Sequence, residues 1–326
     1  MKRITLSALL MTLFLLLSCG SGSANVEDPK SKFLNVFTSF GNMVTNAFGI
    51  KADTTKSEVG KYFAAIETTI TSVKKELQEA VDKNENYSKV KSLVEQFITN
   101  TLKKIADGAN EAAKGATGED KIGGAKDQEG APGDSASVNA LVKGIREIVS
   151  VVLKDNEGSA EATKTAGNEK KSIGKLLGKK DDGTEEHAAA ASASIGAVTG
   201  ADILKAIAKS AEAANNDVGI DQAKNAAEIA AAKKEDDKEF GDEAQKDAVI
   251  AAGIALRAMA KGGKFAAKSE DKSANAVNGA VASAVTKALN TLTIAIRNTV
   301  DNGLKSINDT LATKGATTPE SSTGGQ

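Results

Sequence analysis

Apolar side chains recur at every third or fourth residue along most of the chain, a spacing that predicts amphipathic helices. The longest stripe runs from Val277 to Leu311, with Gly303 as its only internal weak point. At 1.5 Å per residue, a helix over Asn275–Leu311 would be roughly 55 Å long. Because a compact domain is narrower than this, the pattern predicts an elongated protein.

Shorter stripes predict further helices, and segments rich in small or charged residues predict the loops between them. The predicted helical segments are Phe33–Phe48, Asp53–Glu79, Val90–Ile105, Val138–Lys154, Lys170–Lys180, Ala188–Asn215, Asp221–Ala232 and Gln245–Lys261. The segment Ala188–Asn215 is expected to bend at Gly196 and Gly200. The main predicted loops are Ala106–Ala136, Asp155–Asn168, Asp181–His187 and Gly262–Ser273, with a turn at Asn84–Asn86.

The order of these segments predicts an all-α, elongated helical bundle. Strong stripes lie near both ends of the chain, and loop-rich segments fill the middle. We therefore expect long amino- and carboxy-terminal helices to pack antiparallel as a membrane-proximal stalk, with the middle of the chain as a distal head. Residues 33–312 would form this single domain, and residues 313–326 a disordered tail.

Composition favours the same fold class. Aromatic residues make up 3% of the chain, tryptophan is absent and proline occurs three times. Low proline and abundant alanine favour helices, whereas sheets need more aromatic and β-branched residues. Few large side chains also predict helices that approach one another closely.

The first residues predict export and a lipid anchor. Lys2 and Arg3 precede the apolar run Ile4–Leu17, which is too short to span a bilayer comfortably, and Ser18 then precedes Cys19. This arrangement is typical of a bacterial lipoprotein signal at residues 1–18, followed by a lipidated cysteine and flexible tether at 19–32. The alternative is an ordinary secretory signal that happens to contain a cysteine.

Lipidation would place an S-linked diacylglycerol and an N-acyl chain on Cys19. No other cofactor is expected. Cys19 is the only cysteine of the chain, so its modification would leave no thiol for a disulfide or a metal site. Removal of Lys2 and Arg3 with the signal leaves 40 basic and 43 acidic residues, a formal net charge of −3. That balance argues against nucleic acid as a partner.

The sequence offers little support for an enzyme. His187 is the only histidine, and a zinc site built on it with Glu185 or Glu186 would lack the usual further ligands. The segment Gly174–Lys180 has glycines and lysines, but its spacing does not fit a phosphate-binding loop. We therefore expect neither a catalytic site nor a bound metal.

One cluster of lysines is a candidate binding patch. The lysines are Lys170, Lys171, Lys175, Lys179 and Lys180, and apolar residues lie between them. Such a turn could bind a sulfated glycan or an anionic lipid surface. The alternative is an ordinary helix with its lysines in water, which is favoured because acidic runs flank the patch.

Several long segments resemble the variable large proteins of relapsing-fever Borrelia. The matching segments are Val142–Val149, Lys171–Lys180, Ala188–Ala201, Lys246–Ala266 and Ala284–Asn308, together with the signal and Cys19. The resemblance covers essentially the whole chain. It implies a lipid-anchored helical antigen on the extracellular face of the cell outer membrane, with variants that replace one another and so evade host antibodies. It also implies an elongated bundle with its termini near the membrane, as in the related surface antigens of Lyme disease.

The partners expected on this basis are outer-membrane lipid, host antibodies and a second copy of the chain in a homodimer. Antibodies are expected to bind the exposed loops, because substitutions there usually change stability by only about 0.5 kcal/mol. The expected targets are Ala106–Ala136, Asp155–Asn168, Asp181–His187, Asp217–Asp242 and Gly262–Ser273. The alternative function is an adhesin that binds a host glycosaminoglycan or protein through the lysine cluster or the distal head.

Overall fold

The computed structural model describes residues 49–82, 88–165 and 169–314. Within these ranges the regular structure is helical, and extended pairing is limited to three isolated β-bridges. The α-helices are α1 (Lys56–Asp82), α2 (Ser88–Phe97), α3 (Lys103–Gly115), α4 (Ser135–Val152), α5 (Glu169–Ser172), α6 (Glu185–Ala197), α7 (Gly200–Lys209), α8 (Ala226–Ala231), α9 (Asp247–Met259) and α10 (Asp271–Lys314). The all-α prediction is confirmed.

The predicted carboxy-terminal helix is confirmed and is slightly longer than expected. Helix α10 has 44 residues, and the apolar positions of its stripe from Val277 to Ile307 are buried. Gly303 lies against the ring of Phe97, where a methyl group would collide with that ring. The glycine that weakens the helix in isolation therefore allows α2 to approach it closely.

Helix α1 is also as predicted, and all six apolar residues of its stripe are buried. Its partly buried Tyr62 fastens it to α10, because the hydroxyl donates to Leu289 O at 3.1 Å and lies 2.6 Å from Thr293 Oγ1. After the undescribed residues 83–87, α2 leads through a π-helical turn at Ile98–Leu102 into α3. A π turn holds one extra residue per turn, which changes the side of the helix that faces the core.

The core is centred on α9, whose 13 residues are all buried. A helix that is apolar on every side is typical of a protein interior. Asp247 and Arg257 are the two charged residues in α9 and lie within this interior. Their burial requires partners, which the next subsection describes.

The prediction of loop over most of Ala106–Ala136 is wrong for residues 106–115, which complete α3. Ala106, Ala109 and Ala112 are buried, and α3 packs closely against α4. At this contact Gly108 and Gly144 lie backbone to backbone, so that a methyl group on either would collide with the other's carbonyl oxygen. Helix α3 is therefore buried because its small residues let α4 approach closely. A pattern of large apolar residues does not reveal this kind of burial.

The predicted bend near Gly196 and Gly200 is confirmed. Helices α6 and α7 meet at an angle of 98°. Thr199 caps α7, since its hydroxyl accepts from Asp202 N while the Asp202 carboxylate accepts from Thr199 N. Helix α7 ends at Lys209, earlier than the predicted Asn215, and α8 is shorter than the predicted Asp221–Ala232.

Cations cover the carboxy-terminal ends of four helices. In each case a lysine or arginine from another helix donates to carbonyl groups that the helix itself leaves without partners. Positive charge is also favourable at this end of a helix dipole. The pairs are Lys287 with α6, Arg146 with α7, Arg257 with α8 and Lys56 with α9.

The amino-terminal part of the predicted stalk, Phe33–Phe48, lies outside the described residues, as do the turn Asn84–Asn86 and residues 315–326. The stalk-and-head arrangement therefore stays a prediction. Helix α10 is long and apolar enough to cross a membrane, and the bent pair α6 and α7 passes the same test only when counted as one span. In α10, 56% of the most apolar stretch is buried within the protein, as in a core helix.

Candidate functional site: the loop surface around the lysine segment

The five predicted lysines lie on an irregular segment, residues 170–180, which we call the lysine segment. Helix α5 passes into a 3-10 helix at Ile173–Leu177, and a second 3-10 turn follows at Lys180–Asp182. Ile173, Leu176 and Leu177 are buried and fix the segment to the core. The predicted amphipathic turn is therefore confirmed in its buried face.

Lys170 points into the protein, so the structure separates it from the other four lysines. Its side chain is 8% exposed, and its Nζ donates to Thr165 O at 2.9 Å and lies 4.0 Å from the carboxylate of Asp247. Burial acts to raise the pKa of Asp247, but hydrogen bonds from Thr165 and Lys164 N outweigh it and leave the pKa below its usual value. This buried pair joins the start of α5 to the start of α9.

Three of the remaining lysines face carboxylates from other loops. Lys171 lies 3.6 Å from Asp242, Lys175 lies 2.9 Å from Asp237 and 4.0 Å from Glu239, and Lys180 lies 3.1 Å from Asp127. Lys179 has no ion pair within the described part of the chain. The cluster is therefore largely neutralised by its own protein. Glycan binding through these lysines stays a prediction.

The loops that carry these charges form one continuous surface. Backbone hydrogen bonds join residues 127–131, 176–183 and 264–268 to one another. The bonds are Gly130 N to Gly178 O (2.8 Å), Ala131 N to Lys264 O (3.1 Å), Ala266 N to Leu176 O (2.8 Å) and Lys268 N to Gly183 O (3.2 Å). Segments far apart in sequence thus share one face.

Only parts of the predicted antibody targets are accessible. Within these targets, residues 155–157 and 236–239 are exposed. Residues 106–115 belong to α3 and bury much of their surface, and Ala226–Ala231 forms the buried helix α8. The prediction that antibodies bind these loops is therefore restricted to their exposed residues.

His187 lies in the first turn of α6 and not in a loop as predicted. Thr184 caps this helix by accepting from His187 N, and His187 Nδ1 lies 2.5 Å from Asp182 O. Among the described residues, no group of three or more histidine, cysteine, aspartate or glutamate side chains is placed to hold a metal ion.

A cleft of about 250 Å³ lies between residues 119–128 and 263–265. The Asp120–Lys264 ion pair (3.8 Å) lies at its wall.

Two cations that the sequence analysis missed, Lys56 and Arg257, lie beneath this loop surface. They are 1% and 0% exposed. Lys56 Nζ donates to the carbonyl oxygens of Arg257 and Ala258 at the end of α9. Arg257 donates through Nε to Lys264 O at 3.0 Å. Its Nη1 donates to Ile229 O (3.3 Å), Ala230 O (3.3 Å) and Ala232 O (3.0 Å).

Burial dominates the electrostatics of both cations, because their charged forms lose hydration. It lowers the pKa of Arg257 to about 9 and the pKa of Lys56 to about 7. Asp120 opposes the shift at Lys56, whereas Arg257 and Lys264 add to it. The available signal in the sequence was Arg257 itself, an isolated charge in an apolar helix, which is seldom buried without partners.

The native chain is expected to become more stable than the Lys56→Met variant by a growing margin as the pH rises from 7 to 9. Its pKa is about 7 when folded and near 10.5 when unfolded, so the unfolded state binds more protons in this window. The free energy of unfolding of the native chain minus that of the variant should therefore increase by about 2 kcal/mol over this range. Urea unfolding at several pH values measures the difference.

Lys61→Met is the matched control, because Lys61 lies exposed on the same helix. Its difference from the native chain should change little with pH. A difference for Lys56→Met that stayed flat between pH 7 and 9 would show that Lys56 remains charged in the folded protein.

Comparison with known proteins gives a consistent picture. A family model described as Borrelia lipoprotein matches residues 33–311. Variable large protein 4 of Borrelia hermsii is 58% identical, with 94% of this chain and 93% of the relative covered. Variable large protein 17 of the same organism is 55% identical, with 90% and 87% covered.

A solved structure also matches. The crystal structure of the Lyme disease variable surface antigen VlsE of Borrelia burgdorferi superimposes with a TM-score of 0.73 at 34% identity. The match covers 87% of this chain and 96% of that one. The similarity therefore extends over most of both chains.

Proposed function

The chain belongs to the Borrelia lipoprotein family, and we propose that it is a lipid-anchored antigen on the extracellular face of the cell outer membrane. We further propose that it undergoes antigenic variation and catalyses no reaction. The observation that carries this proposal is the match along most of the chain to proteins named variable large proteins and to a variable surface antigen. The family description as lipoprotein supports the anchor.

The division between core and surface suits such a role. Helices α1, α4, α9 and α10 hold most of the large buried side chains, whereas residues 154–157 and 236–239 are exposed. Substitutions at exposed positions change stability little, whereas those in a packed core cost more. Epitopes can therefore change while the fold is kept.

Protease treatment of intact bacteria that express this chain tests the location. An immunoblot should show loss of the protein while a periplasmic marker survives. Survival of the protein until the envelope is broken would place it in the periplasm and contradict the antigen proposal.

Antibodies from a recovered host should then bind exposed loop residues on intact cells, and binding mainly to α1 and α10 would contradict that assignment.

The anchor is proposed at Cys19, with residues 1–18 as the cleaved signal and 19–32 as the tether. Cys19→Ser should abolish acylation, because serine offers no thiol for the diacylglycerol. The variant should lose labelling by radioactive palmitate and move from the detergent phase to the aqueous phase on Triton X-114 partition. Ser18→Ala serves as the control and should keep both properties. Palmitate labelling of Cys19→Ser would place the anchor elsewhere.

A further inference from the structure

Residues 235–242, which we call the acidic loop, lie directly on the lysine segment. A methyl group on Gly174 would lie 2.8 Å from Phe240 N, and one on Gly178 would lie 2.7 Å from Glu235 O. Phe240 N donates to Lys171 O at 3.0 Å. The two backbones therefore touch, and only glycine fits at these two points of contact.

The acidic loop is held in place by more than its charges. The side chain of Phe240 is 2% exposed and belongs to the core. Asp237 adopts a positive φ of 55°, which few residues other than glycine take up, and its N donates to the carboxylate of Asp182 at 2.9 Å. Packing and backbone hydrogen bonds thus position the loop, and its carboxylates are carried along with it.

The carboxylates of the loop lie along the lysines in series. Asp237 and Glu239 face Lys175, and Asp242 faces Lys171. The hydrogen bond from Lys175 holds the pKa of Asp237 below its usual value, and Lys179 contributes in the same direction. Asp237 and Asp242 are 68% and 92% exposed, so both charges lie at the water boundary.

We propose that the acidic loop is an intramolecular cover, which occupies the lysine segment as a linear polyanion would. The covered surface is suited to a sulfated polysaccharide, since successive anions along one extended chain would replace Asp237, Glu239 and Asp242. An anionic membrane would need a flat surface of free lysines, and here Lys170 is buried and three others are paired. The native chain is therefore closed to such polyanions, and loss of the cover opens it.

Heparin affinity of the full chain, solubilised in detergent, tests the cover. The open variant is Asp237→Asn with Glu239→Gln and Asp242→Asn. The native chain should elute from heparin-agarose at low salt, and the open variant should bind on the order of tenfold more tightly, since each lysine near a polyanionic surface contributes several-fold. Adding Lys171→Gln, Lys175→Gln and Lys179→Gln to the open variant should abolish the gain.

The matched control neutralises three carboxylates elsewhere, with Glu76→Gln, Glu79→Gln and Glu95→Gln on α1 and α2. It changes the net charge equally and should leave heparin binding unchanged, and circular dichroism checks that every variant keeps its helices. Tight binding by the native chain, an equal gain in the control, or no gain in the open variant would each overturn the proposal. So would a gain for vesicles of anionic phospholipid without a gain for heparin. None of these outcomes bears on antibody binding or on the lipid anchor.

Discussion

Replacement of Arg257 by methionine is expected to lower the free energy of unfolding by about 1–3 kcal/mol, as when hydrogen bonds from a buried charged donor are lost. The side chain is completely buried, and four carbonyl oxygens accept hydrogen bonds from it. Methionine fills a similar volume but donates nothing. The carbonyl oxygen of Ala232 at the end of α8 would lose its hydrogen bond from Nη1, whereas Lys264 O and Ala230 O keep their bonds from Ala131 N and Gly133 N.

Arg257 lies where three helices meet. The carbonyl of Arg257 accepts from Lys56 Nζ, so α1, α8 and α9 meet at this residue. Chemical denaturation followed by circular dichroism measures the change. Arg297→Met is the control, because Arg297 pairs with Asp301 at 3.6 Å on a half-exposed part of α10, and ion pairs in contact with water contribute about 0.5 kcal/mol. Similar losses for the two variants would mean that Arg257 donates little in the folded protein.

The sequence was most informative where large apolar residues repeat at helical spacing. The apolar stripes of α1, α4 and α10 correctly predicted which of their residues are buried, because a helix with one apolar face packs that face against the core. The bend between α6 and α7 was also visible, since Gly196 and Gly200 bracket the break at residues 198–199. These features depend on neighbours along the chain, which the sequence displays directly.

Other features depend on contacts between distant residues, and the sequence did not reveal them. The acidic residues near the lysines were visible, but the pairing of Lys175 with Asp237 requires the two loops to meet in space. No pattern in the sequence marks Lys56 as buried, because its burial follows from the position of α9. Residues 106–115 were missed because they hold no large apolar residue to mark a buried helix face, and their burial depends on the close approach of α4.

The close contact between α3 and α4 can be tested with a substitution at Gly144. Gly144→Ala is expected to lower the free energy of unfolding by about 3 kcal/mol, as overpacking against rigid atoms does. The new methyl group would meet the carbonyl oxygen of Gly108 and the backbone N of Ala112. Neither atom can move without displacing a helix. By propensity alone the same change would favour α4 by about 1 kcal/mol, so the sign of the effect separates packing from propensity.

Gly279→Ala is the matched control for this experiment. Gly279 is exposed within α10, and a methyl group there would meet no atom within 4 Å. The variant should gain about 0.5–1 kcal/mol, since alanine loses less backbone entropy than glycine on entering a helix. Opposite shifts in the urea midpoint for the two variants would show that helix separation, and not helix formation, limits this core. If Gly144→Ala were stabilising as well, α3 and α4 would lie farther apart in solution, and the glycines would have no role in their contact.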